Sequence, residues 1–102
     1  MGVMRELKPD SVKILGAKLP VDFLDGMEDC GYWDGEAFRI GVSSEIPPES
    51  QKITLLHEVI HVMDEFLHLK LSHGAVYTLS QAIFALMREN PSVVHWVRST
   101  DD

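Results

Sequence analysis

The chain has 102 residues, of which 45% are hydrophobic and 25% are charged, which suits one globular domain with one modest core. Its formal net charge of −7 argues against a nucleic-acid backbone or an anionic membrane as the main partner. The sequence contains neither an apolar run typical of a transmembrane helix nor a signal-peptide pattern, and its single cysteine, Cys30, excludes an internal disulfide. We therefore expect one cytoplasmic domain over residues 1–102.

The first part of the chain has the short alternating segments of β-structure. Residues 1–10 are polar and predict a frayed lead-in or an early strand. Residues 11–19 alternate in polarity and predict a first strand, which Pro20 is expected to end. Residues 21–28 combine two apolar pairs with several acids, so either a strand or an irregular turn fits them.

A hairpin is predicted in the middle of the chain. Asp34-Gly35 is a favourable turn pair, and residues 36–43 after it alternate as a half-buried strand. The inner face of that strand is predicted to carry Phe38, Ile40 and Val42. If this strand lies at the edge of the sheet, its backbone can hold an extended substrate by strand pairing.

Two helices are predicted in the second half of the chain. The first begins at Pro48 or Glu49 and ends near residues 69–71, and Ser72 is a plausible N-cap for the second, which runs over residues 73–89. Asn90-Pro91 stops the second helix. Its inner face is predicted to comprise Val76, Leu79, Ile83, Leu86 and Met87. The apolar residues Val93, Val94, Trp96 and Val97 predict a tail that docks back onto the core.

The first helix contains His57-Glu58-Val59-Ile60-His61, an H-E-x-x-H pattern. Positions i and i+4 of a helix lie one above the other, so two imidazoles at this spacing can share a zinc ion with Glu58 beside it as general base. Apolar residues fill the rest of the helix, which indicates that it is buried on most sides. The polar stripe that carries the motif therefore faces a cleft or a site.

A catalytic zinc usually has three protein ligands, and helix geometry narrows the choice of the third. Asp64 lies about 10 Å along the axis from His57, too far to share its metal, and is expected either to orient a ligand imidazole or to be a solvated acid. His68 is farther still, and His95 has no partner at a telling spacing. His73 follows the expected turn and precedes Gly74, whose missing side chain would allow close approach. We expect His73 to be the third ligand, with Glu65 and Tyr77 as alternatives.

With these residues in view, the chain resembles the small zincin-type zinc metallopeptidases encoded by phages and prophages. A strand and a short loop lead there into Leu-Leu-His-Glu-x-x-His, and a second helix ends in Asn-Pro. The segment from His73 to Tyr77 is also similar to the third-ligand region of SprT-like and WLM-type peptidases. This resemblance implies His57, His61 and His73 as zinc ligands and Glu58 as the catalytic base.

These observations predict an α+β fold, with a small antiparallel or mixed sheet packed on two main helices, the first of which carries the motif. The expected function is zinc-dependent hydrolysis of a peptide or protein substrate, with Tyr77 either stabilising the oxyanion or packing. The alternative is a non-enzymatic, zinc-stabilised interaction module of phage or prophage origin. A peptidase that has lost its metal is a third hypothesis.

Overall fold

The structure, a computed structural model, describes residues 7–100 of the chain. It has the α+β architecture that the sequence predicts, with a mixed four-stranded sheet and three helices among the described residues. The first six residues of the expected lead-in lie outside that range, and residues 7–10 form no strand. In chain order the elements are β1 (Ser11–Ile14), β2 (Ala17–Leu24), β3 (Gly31–Asp34), β4 (Arg39–Ser43), α1 (Pro48–Leu67), α2 (His73–Glu89) and α3 (Pro91–Arg98).

The first two strands form a hairpin where the sequence pattern predicts a single strand over residues 11–19. Leu15 and Gly16 make its two-residue turn, and both have positive φ angles, of 50° and 89°. Two positive φ angles match the type I′ turn, whose twist suits the flanking strands but which favours asparagine or glycine. The prediction of one strand is wrong because a leucine occupies the first turn position.

Pro20 lies inside β2 and does not end a strand. Val21 donates its N–H to the carbonyl of Asp10 on the β1 side, so the nitrogen of Pro20 faces the opposite edge of β2. Pairing with β4 at that edge begins only at Val21, and no ladder hydrogen bond is lost to the proline. The strand continues to Leu24, which resolves the two alternatives for residues 21–28 in favour of a strand at first and a turn afterwards.

In the sheet order β1-β2-β4-β3, β4 is internal and β3 forms one edge. β4 is parallel to β2 and antiparallel to β3. The hairpin predicted at Asp34-Gly35 is confirmed, and its turn is closed by the N–H of Phe38, which donates to the Asp34 carbonyl at 2.8 Å. Because β4 is internal, the expected role of its backbone in holding a substrate is excluded.

Phe38 belongs to this turn and not to the strand that was expected to begin at residue 36. Its φ angle is 59°, so regular pairing starts only at Arg39. The Phe38 ring stacks on Phe66 of α1 at a centroid distance of 6.2 Å, while Ile40 and Val42 are fully buried as predicted. The inner face of β4 is therefore correct except for its first residue.

Helix α1 packs its apolar side on the sheet and forms the core with it. The helix begins at Pro48, as predicted, since proline suits a first turn whose N–H groups lack helical partners. It ends at Leu67, two residues before the predicted range of 69–71, where His68 adopts a left-handed φ of 53°. The buried apolar core consists of Ile14, Leu19, Val21, Ile40, Val42 and Val62.

Helix α2 has the predicted bounds, but its inner face differs from the prediction. The Ser72 hydroxyl accepts the N–H of Ala75 at 3.0 Å, as an N-cap should. Among the described elements, the backbone of α2 approaches only α1 and α3, so α1 lies between the sheet and α2. Val76 and Ser80 are fully buried. The small side chain of Ser80 suits a close approach of two helices. The predicted inner residues Leu79, Leu86 and Met87 are exposed.

The tail residues form a short third helix and do not dock onto the core. Helix α3 approaches only α2 among the described elements, and none of its residues is buried. Trp96 is 77% exposed, so the predicted docking is wrong. Asn90, with φ of −133°, breaks the helical path before Pro91. No helix in residues 7–100 combines the length and apolarity that crossing a membrane requires.

Candidate metal centre

The polar stripe of α1 presents the motif residues towards β3 and α2. His57 and His61 lie one turn apart on this stripe and are half-buried. Glu58 is only 7% exposed, and among the described residues no hydrogen bond or ion pair reaches its carboxylate. The apolar side of α1 packs on the sheet, which fixes the direction in which this stripe faces.

The turn between α1 and α2 brings His73 back to the same place. The N–H groups of His68 and Leu69 donate to the main-chain carbonyl of Asp64. The carboxylate of Asp64 accepts the N–H of Leu71 at 3.1 Å. Asp64 therefore holds the turn through both its main chain and its side chain, and the turn determines where α2 begins.

Three imidazoles meet at this point. One ring nitrogen from each of His57, His61 and His73 lies within 4.8 Å of the other two, and the Nε2 atoms of His57 and His61 are 3.0 Å apart. The ring centroid of His73 is 5.3 Å from each of the other two rings. The structure thus brings together the three histidines that the sequence indicates as ligands, and Glu65 does not join them.

The donor set fits a zinc ion. Two nitrogens bound to one tetrahedral zinc at about 2.0–2.1 Å lie about 3.3 Å apart, close to the distance observed between the motif histidines. The His73 nitrogen lies within 4.8 Å of the other two and would reach the same spacing by a movement of at most about 1.5 Å. Within the described part of the chain no lysine or arginine lines the clefts beside the histidines, so no protein cation competes for this position.

The electrostatic environment favours the neutral form of two of the imidazoles by lowering their pKa values. Burial lowers the pKa of His57, and the neighbouring His61 and His73 lower it further. Burial and His73 also lower the pKa of His61, against a smaller opposing effect of Asp64. Burial raises the pKa of Glu58 to about 7, and Asp29 adds to that increase. Neutral imidazoles have the free lone pairs that a metal ligand needs.

Two clefts adjoin the histidines on opposite sides, and Glu58, His61 and His73 line both of them. We call the two clefts together the groove. The first cleft has a volume of about 490 Å³, and its remaining lining residues are Asp29, Cys30, Gly31, Ile53, Thr54, His57, Tyr77 and Ser80. The second has a volume of about 550 Å³, and its remaining lining residues are Trp33, Asp64 and Glu65.

Of the other candidate residues, Tyr77 and Asp64 line the clefts, whereas His68 and His95 lie outside the histidine cluster. Tyr77 lines the first cleft with its ring centroid 6.5 Å from that of His57. Asp64 lines the second cleft, but the hydrogen bond recorded for its carboxylate goes to the main chain and not to an imidazole. His68 and His95 are exposed and do not join the cluster. Gly74 has no atom within 4 Å of the place where a Cβ would be, so the expected close approach there is wrong.

Sequence inspection misses the part of the site that β3 provides. Ser43 donates its N–H to the Cys30 carbonyl at 2.7 Å, which fixes the side on which each residue of β3 pairs with β4. In an antiparallel ladder the pairing side alternates, so the N–H and C=O groups of Gly31 and Trp33 face the free edge. Ser80 also lines the first cleft and was not predicted. Its position could have been found, because it lies seven residues after His73 on the same face of the helix.

Comparisons of the chain with protein-family models, with curated proteins and with solved structures give no match. The resemblance to small phage-encoded peptidases and to SprT-like and WLM-type peptidases therefore stays a prediction.

Proposed function

We propose that this protein is a zinc-dependent peptidase whose metal is held by His57, His61 and His73. The observation that carries the proposal is the convergence of three imidazole nitrogens within 4.8 Å, beside a buried and unpaired Glu58 in the middle of a groove. Three histidines leave one position of a tetrahedral zinc open for water or substrate. A closed structural site requires a fourth protein ligand, and the described residues add none to this cluster, which favours an enzyme over an interaction module.

The residues around the metal position have separate roles in hydrolysis. When bound, zinc supplies a Lewis acid that activates water and polarises the peptide carbonyl. Glu58 takes a proton from the attacking water and passes it to the leaving amine, for which its place beside the histidines is suitable. Tyr77 stands on the wall of the groove, from which its hydroxyl can donate to the oxyanion.

The free edge of β3 provides a binding surface for the substrate backbone. Gly31 lines the first cleft and Trp33 the second, and the main-chain groups of both residues face away from β4. An extended peptide can pair with this edge as an added strand while it crosses the metal position. The substrate-binding role expected for the strand at residues 38–42 is thus proposed for its neighbour in the hairpin.

This mode of binding requires an extended substrate, so we propose unfolded segments or flexible loops of proteins as the substrate class. Nucleic acid and membrane are not part of the proposal, because the chain carries a net charge of −7. The single thiol, Cys30, lies exposed in the groove, which suits a reducing compartment such as the cytoplasm.

The first test combines metal content with activity. Protein purified without chelator should contain about one zinc per chain and should hydrolyse a denatured protein. Glu58→Gln should keep the zinc and lower the rate by about 100-fold or more, because glutamine cannot accept the proton. Glu89→Gln, at the exposed end of α2, is the matched control and should match wild type. Absence of zinc would overturn the proposal, and equal rates in wild type and Glu58→Gln would favour the interaction module.

The second test concerns the third ligand and uses zinc titration against a competing chelator. His73→Ala should weaken zinc binding by more than about 100-fold, the upper range for loss of an outer-shell partner. His68→Asn is the control, since asparagine tolerates the left-handed conformation of that residue. His95→Ala should also bind zinc like wild type. If His73→Ala does so as well, the ligand set is wrong.

A further inference from the structure

The groove follows α1 on both sides of the metal position. Thr54 lies near one end, in the first cleft, and Glu65 lies at the other, in the second. These residues are eleven positions apart in one helix, which corresponds to about 16 Å along its axis. An extended chain advances about 3.3 Å per residue, so the groove accommodates about five residues of a peptide.

The edge strand β3 forms one wall of the groove, with Gly31 towards one end and the indole of Trp33 reaching towards the other. At one end, a Cβ placed on Gly31 would lie 2.5 Å from the Thr54 methyl and 3.3 Å from Glu58 Oε2, so the strand touches α1 there. At the other end, the indole N–H of Trp33 donates to Glu65 Oε1 at 3.4 Å. A peptide paired with β3 therefore passes Glu58 and then Glu65 in order.

Apart from the histidines, the charged side chains that line the groove among the described residues are all aspartates and glutamates, with no lysine or arginine. Asp29 and Glu58 lie in the first cleft, and Asp64 and Glu65 lie with Glu58 in the second. Glu65 is exposed, and it uses Oε1 for the Trp33 indole, which directs the carboxylate along the wall of the second cleft. Glu58 is only 7% exposed, and its carboxylate, with no hydrogen bond or ion pair from any described residue, lines both clefts.

We propose that the groove selects cationic peptide segments, with a lysine or arginine side chain bound against Glu65 and Asp64. The proposal rests on the peptidase function proposed above and specifies its substrate class. Glu65 is seven residues beyond Glu58, about 10 Å along the helix, so the cationic side chain belongs two to three residues from the bond that is cut. The acidic wall repels segments that carry glutamate or aspartate at this position.

The test measures peptide binding without turnover. The zinc-loaded full chain carrying Glu58→Gln is titrated into labelled six-residue peptides that are identical except for lysine, glutamine or glutamate at one position, and fluorescence anisotropy gives the Kd. At 50 mM salt the lysine peptide should bind about two- to fivefold more tightly than the glutamine peptide, the range of an exposed ion pair, and the glutamate peptide should bind least. At 0.5 M salt the differences should shrink.

A second substitution tests whether Glu65 causes the preference for lysine. In the same background, Glu65→Gln should remove most of the preference for lysine, whereas Glu89→Gln changes the net charge equally and should leave the preference intact. Equal Kd values for the three peptides, a preference that survives Glu65→Gln, or no binding of the lysine peptide would overturn the inference. Hydrolysis of neutral and cationic peptides at equal rates would overturn it while leaving the peptidase function standing. A preference for lysine without any hydrolysis would contradict the function alone.

Discussion

Glu58 lies in an environment that opposes its negative charge. It is nearly buried, and burial together with the nearby Asp29 raises its pKa from an ordinary 4.5 to about 7. In the metal-free protein, between pH 4.5 and 7, this carboxyl is therefore mostly protonated in the folded state and mostly ionised in the unfolded chain. The stability that this carboxyl contributes is present below pH 4.5 and is lost as the pH rises through about 7.

This linkage predicts a pH-dependent effect of Glu58→Gln on the metal-free protein. The free energy of unfolding of the variant, minus that of wild type, should rise between pH 4.5 and 7 by on the order of 2 kcal/mol. The difference should be constant below and above that window. Urea unfolding at several pH values in the presence of chelator measures it, and the lowered pKa values of His57 and His61 affect both proteins alike. A difference that does not change with pH would contradict the buried, unpaired state of this carboxyl.

At the scale of elements, the contact between β3 and α1 depends on the missing side chain of Gly31. A Cβ at Gly31 would lie 2.5 Å from the Thr54 methyl and 2.9 Å from the Gly41 carbonyl oxygen, which is too close for either contact to persist. The strand would have to move away from the helix. Because the free edge of β3 is one wall of the groove, such a shift would also widen the site.

Gly31→Ala should therefore lower the free energy of unfolding by about 1–3 kcal/mol, the usual cost of overpacking. Gly74→Ala is the matched control, because nothing lies within 4 Å of its added methyl and the residue lies in a helix. That control should be neutral or more stable by about 0.4–1 kcal/mol, since alanine restricts the unfolded chain. Chemical denaturation of both variants compares the two effects. Equal stability of Gly31→Ala and wild type would show that β3 does not pack tightly on α1.

The elements that the sequence predicts well are those with local signals. Ser72 and Asn90-Pro91 define α2 because a cap and a proline act on their immediate neighbours. The turn at Leu15-Gly16 escapes prediction because the sheet imposes positive φ on a leucine that would not choose it alone. Phe38 is misplaced for the same reason, since its stacking on Phe66 belongs to tertiary packing.

At the scale of the whole molecule, long-range pairing decides which strand reaches the site. The parallel contact of β2 with β4 places β4 inside the sheet and leaves β3 at the edge, and no local pattern in either strand encodes that order. The motif residues and His73 are readable from helix spacing and a single reversal of the chain. The wall that Gly31 and Trp33 provide follows only from the assembled sheet.

The architecture also gives the metal position a mechanical role. Among the described elements, α2 approaches α1 and α3 but no strand, so α1 alone connects the two C-terminal helices to the sheet. His57 and His61 lie on α1, and His73 is the first residue of α2. An ion bound by all three would join the two helices at the end where the chain reverses, and its binding free energy would become folding free energy there.

Removal of zinc should therefore loosen α2 far more than the sheet. In hydrogen–deuterium exchange, we expect a chelator to lower the protection of amides in α2. When the zinc removed was present at about 100 times its Kd, the loss of protection should be about 100-fold. Amides in β2 and β4 should change much less, because the core beneath them involves none of the three histidines. His73→Ala should show the low protection of α2 with or without zinc, whereas His68→Asn should respond like wild type. A chelator effect spread equally over the sheet and α2 would contradict the proposed connection, because the ion would then stabilise the domain without joining its two helices.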